Sequence, residues 1–176
     1  NAQQVQEMID CAEENERFLM EAMWTRFHPV IETVQAWLAA GRIGEVRMMA
    51  ADFGFSAPWD PDHRLFAPEL AGGALLDVGI YPVALAAMVF GGPPQRIQAA
   101  ASLGETGVDE ETAMLFAYEG GALAQLSCAV RTETPQEAWI AGTKGIIRIP
   151  TFWHPTEATL TVADEPPIQT TGEEGY

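Results

Sequence analysis

An α+β domain, with a mostly antiparallel, open-faced sheet and helices on one face, is predicted from three observations on this 176-residue sequence. The first half alternates segments of helical and strand period. It ends in an apolar run from Gly72 to Phe90. The second half is a series of short strand-like runs broken at Glu119-Gly120-Gly121 and Gly142-Thr143-Lys144-Gly145. Consecutive hairpins build antiparallel sheet, and amphipathic helices upstream cover one of its faces.

Taken in order, Val5, Met8, Ile9 and Ala12 recur at helical spacing, with Asn1 as the N-cap. Phe18 to Met23 is a short apolar run that reads as a buried strand of the parallel-sheet kind. A helix and then such a strand resemble the tail of an α/β unit whose earlier part is absent. Pro29 suits the first turn of a second helix, which carries Val30, Val34, Trp37 and Leu38 and stops at Gly41. Val46 to Phe55 reads as a strand. Ser56 to Leu70, with three prolines, reads as a long loop carrying Trp59, His63, Arg64 and Phe66. Strands are then expected at Arg96–Leu103, Thr112–Tyr118, Ala122–Arg131, Glu137–Ala141, Ile146–Ile149 and Thr159–Val162. Asp164 to Tyr176, acidic and rich in Pro and Gly, reads as a loop or fraying end.

The composition, 48% hydrophobic and 19% charged, is globular, and the length suffices for a proper core in one or two domains. A formal charge of -16 argues against nucleic acid, which needs clustered Lys and Arg. No apolar run reads as long enough to span a bilayer and no leader opens the chain, so a soluble cytoplasmic protein without membrane contact is expected. Cys11 and Cys128 make no disulfide framework and read as small core residues. The three histidines have no metal-ligand spacing, so no metal site is expected. G-x-G-x-x-G, P-loop and G-x-S-x-G motifs are absent.

The stretch Gly72-Gly73-Ala74-Leu75-Leu76-Asp77-Val78-Gly79-Ile80-Tyr81 carries the chemistry. Asp77 and Tyr81 are four apart, so a helix sets an acid and a phenol on one face, one turn from each other. On these residues alone two readings stand. Asp77 caps a helix and Tyr81 is a core tyrosine, or the two are a site pair; a carboxylate among apolar neighbours needs a partner either way.

Phe18 through Pro29, with its Trp24-Thr25-Arg26-Phe27, resembles the first signature of the Gfo/Idh/MocA family of NAD(P)-dependent oxidoreductases. Ile43-Gly44-Glu45-Val46 into Asp52-Phe53-Gly54-Phe55 is similar to the next element, and Gly72 to Pro82 to the most specific one. Thr106-Gly107-Val108-Asp109 and Gly142 to Gly145 follow in order. Trp153-x-Pro155-Thr156-Glu157 resembles the dimeric dihydrodiol dehydrogenase branch, and a tyrosine at position 81, where many members have histidine, resembles the dihydrodiol and glucose–fructose type branches.

The resemblance implies a dihydrodipicolinate reductase-like or glyceraldehyde-3-phosphate dehydrogenase-like C-terminal domain over 25–176. Residues 1–24 would be the last helix and strand of a Rossmann domain. It implies hydride transfer between NADP or NAD, bound mainly by that N-terminal domain, and a sugar or diol hydroxyl. The chain alone would then be inactive. By this resemblance Tyr81 stands at the substrate hydroxyl and Asp77 orients a lysine or the substrate. A free phenol titrates near pH ~10, so the upstream lysine would supply the positive charge it needs. Trp24, Phe53 and Trp153 wall an apolar substrate site, with core packing as the rival reading. Arg64 and Arg26 meet cofactor phosphates or substrate, with exposed, unpartnered arginine as the rival. The open sheet face, with Trp139 and Phe116 as candidates on it, is expected to form a homodimer. The other function class is a non-catalytic dimerisation or ligand-binding module that kept the fold.

Overall fold

A computed structural model describes residues 1–172 of the chain. Eight strands form one sheet in the order β2-β3-β4-β1-β5-β6-β7-β8. They are β1 (Val46–Gly54), β2 (Arg96–Leu103), β3 (Asp109–Ala117), β4 (Leu123–Ala129), β5 (Ala138–Gly142), β6 (Gly145–Ile149), β7 (Glu157–Val162) and β8 (Ile168–Thr171). Every neighbouring pair is antiparallel except β1 and β4, which run parallel at the centre. A parallel pair needs a long crossover. Here it comprises the loop after β1, the apolar helix, and the hairpin of β2 and β3.

Burial alternates along the strands, as period-2 side chains require. Met49, Ala51 and Phe53 of β1 are buried, with Met114 and Phe116 of β3 and Leu126 and Cys128 of β4. Helices α2 (Pro29–Ala39) and α3 (Ile80–Phe90) lie on that face, α3 against β1 and β4, α2 against β7 and β8. The opposite face carries Ala50, Ala113, Leu115, Gln125, Ser127 and Trp139 in register across four strands, and among the described residues no helix covers it. Phe116 is a correction. It sits on the helix-covered face, 6% exposed, because it shares the parity of Met114; Trp139 does lie on the open face.

The loop after β1 is packed rather than loose. Phe66 is fully buried, the Trp59 ring meets it edge-on at 4.8 Å, and the Arg131 guanidinium lies about 6 Å from both ring centres. The segment 68–90 is, by length and composition, long and apolar enough to cross a membrane, contrary to the expectation from the sequence. Left-handed backbone at Ala71 and Gly73 interrupts it. Beyond that break lie a five-residue π-helical turn, Leu75–Gly79, and the eleven residues of α3. That rod is about 24 Å long, short of the ~30 Å apolar layer. Its Val78, Leu85 and Ala86 are buried in the core.

Three other expectations change. Helix α1 (Ala2–Glu14) forms with Asn1 in a capping box, but none of its residues is buried, Cys11 included. Phe18–Met23 is not a strand: Phe18 is 87% exposed, and only Met23 reaches the core. Among the described residues nothing pairs with that segment, because the whole sheet is assembled from residues 46–171. Ile168–Thr171, read as loop or fraying end, is a strand zipped onto β7.

Candidate active site

The π-helical turn is where the site begins. Gly73 opens it with φ +116°, and the Asp109 carboxylate lies where a side chain at 73 would project. Asp109 Oδ2 accepts from Leu75 N–H at 2.8 Å and from Thr112 Oγ1 at 2.6 Å, so an acid from β3 caps the start of the turn. Gly79 lies against β4, where a Cβ would meet Cys128 Sγ at 2.8 Å. These contacts explain the glycines in chemical terms: one turns the chain, the other lets helix and strand touch. Burial, with Asp109 nearby, pushes the Cys128 thiol up to about 12, which keeps it protonated and inert.

Asp77 lies in the π-helical turn and Tyr81 in the first turn of α3. No hydrogen bond joins Asp77 to Tyr81, and each has its own partner. Asp77, half-buried, pairs with Arg64 of the loop, whose side chain is largely exposed. Tyr81, half-buried, accepts a hydrogen bond from Trp24 Nε1 at 3.1 Å. Acid and phenol are thus two polar anchors on one continuous helical segment, each held by a different partner.

Around Tyr81 the aromatic residues converge. Phe53 of β1 meets the Tyr81 ring edge-on at 5.2 Å and stacks on Trp153 at 4.8 Å, 11° from parallel. Trp24 lies 6.2 Å from Trp153. Phe53 is itself only 7% exposed, so it backs the wall while Trp24, Tyr81 and Trp153 form its half-exposed surface. The strap 22–28 is pinned there by Thr25 Oγ1, which donates to the Trp153 carbonyl at 2.7 Å. Arg26 is exposed on that strap. So Trp24, Phe53, Tyr81 and Trp153 are brought together, Asp77 and Arg64 form an adjoining ion pair, and Arg26 makes no ion pair among the described residues.

Sequence reasoning missed several members. His28 is buried, and its ring lies 5.1 Å from Trp24 and 5.0 Å from His154, which is in turn 5.3 Å from Trp24. Burial, and then His154, holds the His28 imidazole below its ordinary value. The two histidines are far apart in sequence, so no spacing announced their contact. Gln136 is the second, tied to Trp153, Gly54 and Asp52. Asp109 is the third, and here the signal existed: it closes the Thr106-Gly107-Val108-Asp109 run. Among the described residues no group of three or more His, Cys, Asp or Glu is placed to hold a metal.

With this geometry in hand, three kinds of similarity bear on the chain. The family described as GFO/IDH/MocA C-terminal domain matches residues 31–148. Trans-1,2-dihydrobenzene-1,2-diol dehydrogenase of Xenopus tropicalis is 46% identical over 158 residues, covering 89% of this chain and 47% of that protein. The mouse protein of the same name is 40% identical over 161 residues, 91% of this chain and 48% of the relative. The chain therefore spans about half the length of the curated relatives it matches. Among solved structures, aldose-aldose oxidoreductase from Caulobacter crescentus with glycerol superposes with TM-score 0.84 at 23% identity, over 96% of this chain and 52% of the other. A 3-ketoreductase from Actinomadura kijaniata, in complex with NADP and TDP-benzene, gives 0.84 at 24%, over 97% and 55%. At such identities the superpositions carry the fold.

Proposed function

The chain belongs to the GFO/IDH/MocA family, and from that premise we propose that it forms the substrate-binding half of an NAD(P)-dependent dehydrogenase. The substrate class is a ring-borne alcohol, a trans-dihydrodiol or a sugar. The relatives about twice this length are named for oxidation of such a diol. The observation that carries the reading is the Trp24–Tyr81 hydrogen bond inside the aromatic wall.

Hydride-accepting chemistry at the carbinol carbon would be supplied by a bound nicotinamide. The rest falls to this chain's own residues. The Trp24 indole N–H takes one lone pair of Tyr81 Oη, which fixes the phenol ring and leaves its other lone pair and O–H for a substrate hydroxyl. Tyr81 then holds or moves the carbinol proton. Trp24 and Trp153 offer faces to an apolar or sugar ring and exclude water from it. Arg64 neutralises Asp77, so that the acid serves as a fixed acceptor at the rim of the site.

Among the described residues no glycine-rich strand-to-helix turn is present, and Arg26 and Arg64 are the exposed cations near the wall. In this reading residues 1–24 belong with a Rossmann domain, and 25–176 form the substrate and dimerisation domain. The exposed Val5, Met8, Phe18 and Met20 favour it, since apolar side chains at such spacing need a covering partner. The uncovered sheet face, with Leu115, Gln125, Ala50 and Trp139 in one row across four strands, supports a homodimer about a two-fold axis.

The test is Tyr81→Phe in the intact enzyme, which removes one oxygen and keeps the ring. Turnover should fall by about 10²–10⁴-fold, the usual yield of a positioned proton carrier, while dinucleotide affinity stays level. Turnover equal to that of the wild type would reject the role of Tyr81.

A further inference from the structure

We propose that Gln136 is a positioning residue that holds Trp153 flat against Phe53 and so sets the substrate-facing surface of the wall; the inference rests on the reading that Trp153 faces the substrate. Gln136 adopts φ +61°, a left-handed conformation that is costly for a residue bearing a side chain. Such strain persists only where the surroundings over-determine it.

Here they do. The Gln136 backbone N–H donates to Asp52 Oδ2 at 2.8 Å. Its amide Nε2 donates to the Gly54 carbonyl at 2.8 Å, and its Oε1 accepts from Trp153 Nε1 at 2.8 Å. One side chain thus bridges the end of β1 to the indole of Trp153. The amide's two ends have different tasks: the NH₂ end fixes Gln136 to β1, and the carbonyl end fixes the ring.

The approach is close by construction. The 132–134 segment presses on Gly54, where a Cβ would meet the Thr132 carbonyl at 2.7 Å. Phe53, one residue earlier, stacks on Trp153 and meets Tyr81. Gln136 therefore registers the indole against the same strand that registers the phenol. A tryptophan ring without this bond could rotate about its two side-chain torsions. Held by it, the ring presents one orientation to a bound ring, which lowers the ordering cost of binding.

The experiment uses the intact enzyme with NADP⁺ and trans-1,2-dihydrobenzene-1,2-diol as probe. Gln136→Met keeps the length and removes the acceptor. The KM for the diol should rise roughly tenfold, the scale of one net hydrogen bond, with the KM for NADP⁺ level. Trp153→Phe removes the same bond from its other end and retains the other contacts of Gln136, so the proposal stays testable if Gln136→Met folds poorly; losing the indole as well as the bond, it should raise the diol KM at least as much. The double variant should be no worse than Trp153→Phe alone, since both changes delete the Gln136–Trp153 bond. In ¹⁵N spectra the Trp153 indole N–H should exchange faster in Gln136→Met.

Additive KM effects in the double variant, or an unchanged indole exchange rate, would overturn the proposal. Diol KM unmoved in both single variants, with faster indole exchange, overturns its substrate part and the wall reading together. The Tyr81→Phe result stays separate from all three outcomes, so failure of the wider function is distinguishable.

Discussion

The first 22 residues and the body of the domain after them carry the same kind of apolar pattern and meet opposite fates. Val5, Met8 and Ile9 recur on α1 as Val30, Ile31 and Val34 do on α2. The first set is exposed and the second is fully buried against the sheet. Helical spacing of apolar residues announces that a face wants a partner. It does not say that the partner lies within reach of that stretch. For α2 the partner is β7 and β8; for α1 and Phe18–Met20 there is none among the described residues.

Stability measurements break or sharpen that contrast. Ile140→Ala, in the middle of β5 with no exposed surface, should cost about 2–5 kcal/mol by denaturant unfolding. Met8→Ala, on the half-exposed side of α1, should cost no more than about 0.5 kcal/mol in this chain on its own. Equal costs would mean that α1 is packed after all.

The strap between the two regions should show a smaller, pH-dependent effect. His28 has its imidazole held below the ordinary value, mainly by burial and then by His154. The unfolded chain then binds more protons than the folded one between the two values, so stability falls as pH falls. The contribution is fully present above the ordinary histidine value of ~6.5 and is lost progressively below it. Thermal melts from pH 7.5 to 5 should show that loss, and His28→Gln should flatten it. An unchanged slope in the variant would remove His28 as the cause.

Much of the fold was legible because its punctuation is chemical. Gly120 and Gly121 turn with positive φ between β3 and β4, and Pro29 and Gly41 bracket α2. The apolar run through α3 packs Leu85 and Ala86 into the core. What escaped the sequence depended on partners distant along the chain. The parallel pairing of β1 with β4 leaves no mark in either strand, since period-2 alternation is the same for both directions. Strand β8 lies in a run of acidic residues, Pro and Gly, and is held by β7 rather than by propensity.

The site divides along the same line. The residue types of Trp24, Asp77, Tyr81 and Trp153 were readable, whereas their pairings were not. Asp77 and Tyr81 are held by Arg64 and Trp24, and the turn that carries Asp77 is capped by Asp109 from another strand. Gln136 had no signal at all, because a left-handed glutamine is imposed by its bonds to Asp52, Gly54, Phe152 and Trp153 and not by its neighbours in sequence.

The central claim is that Tyr81, braced by Trp24, meets the reacting hydroxyl of the substrate. A crystal structure of the intact enzyme with NADP⁺ and a slow or unreactive diol measures that directly. A diol oxygen should lie within hydrogen-bond reach of Tyr81 Oη, about 2.6–3.2 Å, with the ring against Trp24 and Trp153. A diol seated elsewhere, with Tyr81 Oη bonded to Trp24 alone, would contradict it.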